Sequence, residues 1–150
     1  MLKKFSYKIL SDKSLILEYY SGDFNIKEFI ESKDKVSKDN DYNPNFDIIH
    51  DFRDIKFQIE AEEIFQYIQH ISFGSILFGK RRSVAITSNP NQLVPPMLFK
   101  LNKENLPVSV KICSTYERAF SFIGLTINEK ILVESLFNEI KNSILQTDRS

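Results

Sequence analysis

The fold is decided by residues 45–71, which read NFDIIHDFRDIKFQIEAEEIFQYIQHI. Residues 46–52 form a short apolar run with few polar breaks, which is typical of a strand that is covered on both faces, as in a parallel sheet. From about residue 60 to residue 71, apolar residues recur at helical spacing, and acidic residues occupy the first turn, where the helix dipole favours negative charge. A buried strand that leads into an amphipathic helix indicates an α/β domain.

Charged residues gather where this strand is expected to stop. His50, Asp51, Arg53 and Asp54 all lie at the end of the apolar run. In open α/β sheets, ligands and partners usually meet the carboxyl ends of the strands. We therefore expect the functional surface to lie at this strand end.

The N-terminal part of the chain predicts a hairpin and a helix. Apolar residues alternate with polar ones over residues 4–10 and again over 15–21, with a short polar turn between them, which favours two antiparallel strands. Gly22-Asp23 is expected to end the second strand, and residues 25–37 have the pattern of an amphipathic helix.

The C-terminal half alternates between strands and helices. Residues 83–87 and 108–113 are expected to be strands. Because Pro95 and Pro96 are costly inside a helix, the helix between the strands is expected either to become regular only from about residue 95 or to have a distorted turn before that point.

Three helix ends are marked in the sequence. Ser114 with Glu117 and Thr126 with Glu129 have the spacing of capping boxes, and Gly124 is expected to end the helix between them. The predicted order is β-β-α-β-α-β-α-β-α-α, which gives an α/β fold with a five-stranded mixed sheet, antiparallel in its first hairpin and parallel in the β-α units.

The bulk composition excludes several classes of function. The 150-residue chain has 20 basic and 20 acidic residues and a net charge of zero. This argues against nucleic acid as a partner and against general binding to anionic membranes, since both require excess positive charge. The single cysteine, Cys113, allows no internal disulfide, the N-terminus is too polar for a signal peptide, and no apolar run approaches a membrane span, so we expect a cytoplasmic protein.

Several segments together resemble the STAS superfamily. They are Asn45–Asp54, Lys80-Arg81, Asn89-Pro90-Asn91-Gln92 and Ser114-Thr115-x-Glu117-x-Ala119. More narrowly, they resemble bacterial STAS-like domains that are related to the sporulation anti-sigma-factor antagonist, over residues 4–124. The resemblance implies a STAS-like, non-enzymatic regulatory domain that binds another protein. The sequence departs from the family pattern at one point. No Ser or Thr lies between Asp51 and Ser72, so the phosphorylatable serine of these antagonists is absent.

The aspartates allow two other interpretations. Asp51 and Asp54 could bind a metal or accept a phosphoryl group, as in receiver domains, but the first strand is not followed by an acidic pair, and Lys111 lies inside its strand. The structural alternative is that Asp51 pairs with Arg53 or a backbone amide and that Asp54 caps a turn.

A glycine-rich segment resembles a phosphate loop only superficially. Gly74-x-x-x-x-Gly79-Lys80 is followed by Arg81 where Ser or Thr would hold magnesium, and it precedes a strand instead of a helix. Residues 72–82 also include Phe73, Ile76, Leu77 and Phe78, which mark a contact surface if exposed and core if buried.

A second hypothesis is a small-molecule-binding domain. Phenylalanine-rich walls between sheet and helices, with Lys80 or Arg81 at one end, could hold an amphipathic anion or a nucleotide. His50 and His70 are too few for a metal site, His50 is better explained as a hydrogen-bonded core residue, and Cys113 as a buried apolar one. We therefore expect no catalytic residue, metal or cofactor. The binding hypotheses rest on Asp51, Arg53, Asp54, Lys80, Arg81 and Asn89.

The last segment stands apart from the STAS-like domain of residues 1–124. Residues 125–150 are expected to form a helix with an apolar stripe, which either packs on the domain or forms a homodimer through residues 127–145.

Overall fold

The fold is built on one mixed sheet in the computed structural model, which describes residues 3–73, 79–103 and 106–149. The strands are β1 (Lys4–Leu10), β2 (Leu15–Asn25), β3 (Asp47–Gln58), β4 (Arg82–Ile86) and β5 (Ser109–Cys113). The helices are α1 (Ile26–Ser37), α2 (Ala61–Phe73), α3 (Pro90–Asn102), α4 (Tyr116–Ile123) and α5 (Ile127–Arg149).

The strands follow one another across the sheet in the order of the sequence. β1 and β2 are antiparallel, and β2 to β5 are parallel. The predicted α/β fold with a five-stranded mixed sheet is confirmed. Because parallel strands are added in one direction and the crossovers are right-handed, α1, α2 and α3 lie on the same face of the sheet.

The opposite face is covered by α4 and α5. Val133, Phe137, Ile140 and Ile144 of α5 are buried in one cluster with inward-facing residues of β2, β3 and β4. The last segment is therefore one of the two layers that enclose the sheet. Ile127, Ile131 and Leu132 at the start of α5 remain exposed, and the homodimer through residues 127–145 stays a prediction.

Two strands are longer than the sequence pattern indicated. β2 does not break at Gly22-Asp23, because Gly22 adopts φ 90° and a register shift between Tyr19 and Ser21 absorbs the irregularity. β3 does not end near Asp51 but continues to Gln58, since Ile55 and Phe57 are buried and extend its alternation against the second half of β2.

The neighbouring strand β4 stops opposite Asp51, so the last part of β3 has a free edge toward α3. Two amide side chains of α3 fill this edge. Asn91 accepts from the Phe57 amide at 2.8 Å and donates to the Phe57 carbonyl at 3.0 Å. Gln92 donates to the carbonyls of Arg53 and Ile55 at 2.8 and 3.0 Å. The amides thus replace the missing strand pairing.

Helix α3 begins at Pro90, about five residues before the start that the two internal prolines predicted. Pro90 is the first helical residue, where it costs nothing, and Asn89 caps the helix by accepting from the Gln92 amide at 3.1 Å. Pro95 and Pro96 lie inside the helix and are both buried. Their packing therefore offsets the two missing amide donors.

The other helix signals had mixed outcomes. The capping box of Thr126 and Glu129 is confirmed by reciprocal bonds of 3.2 and 2.9 Å, and Gly124 ends α4 with φ 83°. The cap of α4 is Thr115, which accepts from the Arg118 amide at 3.2 Å, and not Ser114. Ile76, Leu77 and Phe78, which were expected to mark a contact surface if exposed and to be core if buried, lie outside the described residues.

Candidate functional site

A cavity lies between the sheet and the three helices α1, α2 and α3. It forms because α2 packs on its neighbouring helices: the Tyr67 ring contacts those of Phe29 in α1 and Phe99 in α3, with centroids 5.5 and 5.9 Å apart. The space open to the centres of water molecules is about 120 Å³. Since one water needs about 10–15 Å³ on this measure, the cavity has room for about ten water molecules.

The cavity walls are mostly apolar. They include Phe29, Phe52, Phe57, Ile64, Tyr67 and Phe99. One wall is polar, because Glu18 of β2, Lys33 of α1 and His50 of β3 also face the cavity. Glu18 and His50 are directly paired across the two strands, so the sheet register brings them together.

These three polar side chains form one hydrogen-bonded cluster. Lys33 Nζ donates to Glu18 Oε1 at 2.8 Å and lies 2.6 Å from His50 Nε2. The Tyr20 hydroxyl donates to the same Glu18 oxygen at 2.7 Å. His50 Nδ1 lies 3.0 Å from the carbonyl oxygen of Val84, which can only accept. Nδ1 therefore carries the proton, and Nε2 accepts from Lys33.

Burial determines the charge states in the cluster. Burial, together with the positive charge of Lys33, lowers the pKa of His50 to about 3, so His50 is neutral near pH 7. Burial alone would raise the pKa of Glu18, but Lys33 and its hydrogen bonds outweigh burial and lower it. Burial lowers the pKa of Lys33, which Glu18 partly offsets. The cluster is therefore an ion pair beside a neutral imidazole.

Two polar atoms at this wall have no hydrogen-bond partner among the described residues. They are Glu18 Oε2, an acceptor, and Arg81 Nε, a donor, and both are buried. Arg81 also lines the cavity, and its Nη2 donates to the Asn43 carbonyl at 2.9 Å. Leaving such groups unpaired is costly, so they indicate a place where water or a ligand completes the hydrogen bonding. With Lys33 and Arg81 against Glu18, this end of the cavity has an excess of one positive charge.

The buried histidine predicts loss of stability in mild acid. The unfolded chain binds a proton near pH 6.5, whereas folded His50 does so only near pH 3. The contribution of neutral His50 to the free energy of unfolding is therefore fully present above about pH 6.5. Below that pH, the free energy of unfolding falls by about 1.4 kcal/mol per pH unit. Urea unfolding between about pH 7.5 and pH 5 should show a loss of about 2 kcal/mol from His50, in a range that lies above the pKa values of carboxyl groups in the unfolded chain.

Two variants isolate this effect. His50→Gln should flatten the pH dependence, whereas His70→Gln, which removes an exposed histidine of α2, should keep it. A wild-type stability that does not change between these pH values would contradict the buried neutral histidine.

Asp51 belongs to a different cluster, on the sheet face covered by α4 and α5. Its side chain is fully buried and accepts from Arg53 Nε and Nη2 at 3.0 and 2.9 Å and from the Tyr116 hydroxyl at 2.8 Å. Lys141 Nζ lies 3.2 Å from it. Burial would raise the pKa of Asp51, but Arg53 and Lys141 outweigh this and lower it. The pairing with Arg53 that the structural alternative predicted is present.

The structure does not bring the six predicted binding residues into one site. Asp54 is exposed in the middle of β3 and accepts from the Tyr19 hydroxyl at 2.5 Å, so it does not cap a turn. Lys80 is exposed, and its amide donates to Asn45 Oδ1 at 3.0 Å. Asn89 is the cap of α3. Of the six, Arg81 alone faces the cavity.

The sequence reasoning missed Glu18 and Lys33. A signal for Glu18 was present, because it stands within the strand segment LILEYY, where alternation places it on the same face as Ile16 and Tyr20. A charged residue at a core position of a strand is rare unless it is paired, so it marks a buried polar site. Lys33 had no comparable signal, since it lies on the charged side of an amphipathic pattern.

No family model matches this sequence, and no curated protein gives a significant match. The resemblance to STAS-like domains, with its implied protein-binding role, therefore stays a prediction. Among the described residues, no cluster of three or more His, Cys, Asp and Glu side chains could hold a metal ion. Within the same part of the chain, no helix combines the length and apolar character needed to cross a bilayer.

Proposed function

We propose that this chain is a small-molecule-binding domain that holds an amphipathic anion in the cavity between the sheet and α1, α2 and α3. The observation that carries the proposal is Arg81 Nε, which is buried at the polar end of an apolar cavity and has no hydrogen-bond partner within the described part of the chain. Ligand sites typically combine apolar walls with a few convergent polar groups. The anionic group would accept from Arg81 next to Lys33, and the apolar body would lie against the aromatic walls.

The cavity volume limits the ligand. Room for about ten water molecules corresponds to about 300 Å³ of liquid, which suits a molecule of about a dozen non-hydrogen atoms. Medium-chain carboxylates and arylalkyl carboxylates have this size, whereas nucleotides are larger. The volume therefore favours the amphipathic anion over the nucleotide within the small-molecule hypothesis.

Octanoate is the probe for this proposal. At a concentration 100 times its Kd, it should stabilise the chain by about 2.7 kcal/mol. For a domain of this length, that corresponds to a rise in Tm of about 5–10 °C. Isothermal titration calorimetry gives the Kd, and octanol serves as the neutral compound of the same chain length, for which weaker binding is expected.

Arg81→Gln removes the proposed anion-binding charge. The loss of one charge-assisted hydrogen bond, worth about 1.5–3 kcal/mol, should raise the Kd for octanoate about 10- to 100-fold. Arg82→Gln is the matched control, because the neighbouring Arg82 pairs with Asp47 at 2.7 Å and does not line the cavity. Equal affinity of the two variants, or no stabilisation of the wild type by octanoate, would reject the proposal.

A further inference from the structure

The polar end of the cavity has two open hydrogen-bonding positions of opposite kind. Glu18 Oε1 already accepts from Lys33 Nζ and from the Tyr20 hydroxyl, whereas Glu18 Oε2 has no hydrogen-bond partner within the described part of the chain. Arg81 Nε is in the same situation, but it can only donate. The occupant of the cavity therefore meets both a free acceptor and a free donor.

The two open positions lie at the same end of the cavity. Glu18 and Arg81 both line it, and the Glu18 side chain has no exposed surface. Besides burial, the positive charge of Arg81 contributes to the lowered pKa values of Lys33 and His50, so its guanidinium lies near the cluster that contains Glu18. A ligand that meets both positions therefore carries its acceptor and its donor close together.

The charge at this end distinguishes between the two common kinds of donor. Lys33 and Arg81 each carry a positive charge and Glu18 a negative one, so a ligand with a single negative charge neutralises the site. A carboxylate that also bears an ammonium group has no net charge and leaves the excess positive charge in place. A carboxylate with a hydroxyl group neutralises the site and still supplies the donor for Glu18.

We propose that the ligand is a hydroxy acid, namely a medium-chain or arylalkyl carboxylate with a hydroxyl group on carbon 2 or carbon 3. Its carboxylate accepts from Arg81 Nε, its hydroxyl group donates to Glu18 Oε2, and its apolar body lies against the aromatic walls. This inference rests on the proposed function and deepens it by naming the head group. The additional oxygen atom keeps the ligand within the size that the cavity volume allows.

Water is the competing occupant of the position beside Glu18. A water molecule that donates to Glu18 Oε2 would complete the hydrogen bonding without any hydroxyl group on the ligand. Such a water would remain in place when octanoate binds, and a hydroxyl group would then add nothing to the affinity. The two cases differ in the ratio of the Kd of octanoate to the Kd of its hydroxy derivatives.

Isothermal titration calorimetry of the wild type measures this ratio. Either 2-hydroxyoctanoate or 3-hydroxyoctanoate should bind about 10- to 100-fold more tightly than octanoate, because a hydrogen bond to a charged group replaces an unpaired buried oxygen. Nonanoate is the control for size, since it has a further carbon atom in place of the hydroxyl oxygen, and it should gain only about fourfold. If neither hydroxy acid binds more tightly than nonanoate, the inference is overturned.

Glu18→Gln tests the residue that is assigned to the hydroxyl group. The glutamine oxygen takes the place of Oε1 as acceptor for Lys33 and Tyr20, which puts the amide nitrogen, a donor, at the open position. The preference for the hydroxy acid should fall about tenfold, because hydrogen bonds between neutral groups are weaker than those to a carboxylate. Glu31→Gln is the matched control, since it removes the same charge at an exposed position of α1 and should keep the preference.

The outcomes separate this inference from the proposed function. Octanoate binding that Arg81→Gln weakens, with no gain from the hydroxyl group, would refute the hydroxy acid and leave the proposed function in place. A wild type that binds none of these carboxylates would refute both. The same hydroxyl preference in the wild type and in folded Glu18→Gln would refute the role of Glu18. The comparison of ligands on the wild type decides the inference even if Glu18→Gln does not fold.

Discussion

Lys33→Met is expected to destabilise the folded chain by about 3–5 kcal/mol at pH 7, because it leaves the Glu18 carboxylate buried without its counter-charge. Glu18 has no exposed surface, and Lys33 donates to it at 2.8 Å. The variant also removes the donor to His50 Nε2. Chemical denaturation of wild type and variant, with equal m values, measures the difference.

Two comparisons show whether the buried charge is the cause. Lys35→Met, at an exposed position of the same helix, should change stability by no more than about 0.5 kcal/mol. The double variant Glu18→Gln/Lys33→Met should be more stable than Lys33→Met alone, since it removes the unpaired carboxylate. If Lys33→Met costs no more than Lys35→Met, the ion pair in the cavity wall is not formed.

Phe137→Ala in α5 is expected to cost about 3–5 kcal/mol, as for other large aromatic residues deleted from a core. Phe137 is fully buried, and its ring centroid lies 5.0 Å from that of Tyr116 and 6.5 Å from that of Phe120. The side chain thus connects α5 with α4 and the sheet. The same denaturation experiment measures the loss.

The control for this variant lies on the same helix. Ile131→Ala removes an apolar side chain that is 65% exposed, so it should change stability by about 0.5 kcal/mol or less. Similar effects of the two substitutions would mean that α5 does not cover the sheet in solution. A large effect of Phe137→Ala alone would support α5 as the second layer of the domain.

Periodicity was enough to predict the order of strands and helices. Alternation in β1 and β2 and helical spacing in α1 and α2 are local properties, so the sequence contains them directly. Errors arose where a tertiary contact overrode a local signal. Strand β3 extends beyond the end of β4 because side chains of α3 form hydrogen bonds with its free edge. Helix α3 accommodates Pro95 and Pro96 because both are buried.

The candidate site was less predictable than the fold. The charged segment around Asp51 was expected to form a strand end, but the partners of Asp51 include Tyr116 and Lys141, which come from helices far along the chain. No local sequence pattern indicates that these two side chains contact Asp51 and pair with its carboxylate. The cavity cluster depends in the same way on the register of β2 against β3 and on the placement of α1. Arg81 was named as a candidate anion ligand, and the structure places it in the cavity wall.

The amide side chains of Asn91 and Gln92 have a consequence for aggregation. Without them, the backbone of β3 between Arg53 and Phe57 would offer unpaired donors and acceptors to any extended segment nearby. Exposed strand edges of this kind recruit strands from other molecules and start intermolecular sheets. The first turn of α3 therefore blocks pairing of this strand edge with other molecules. A rearrangement that moved α3 away from the sheet would expose the edge.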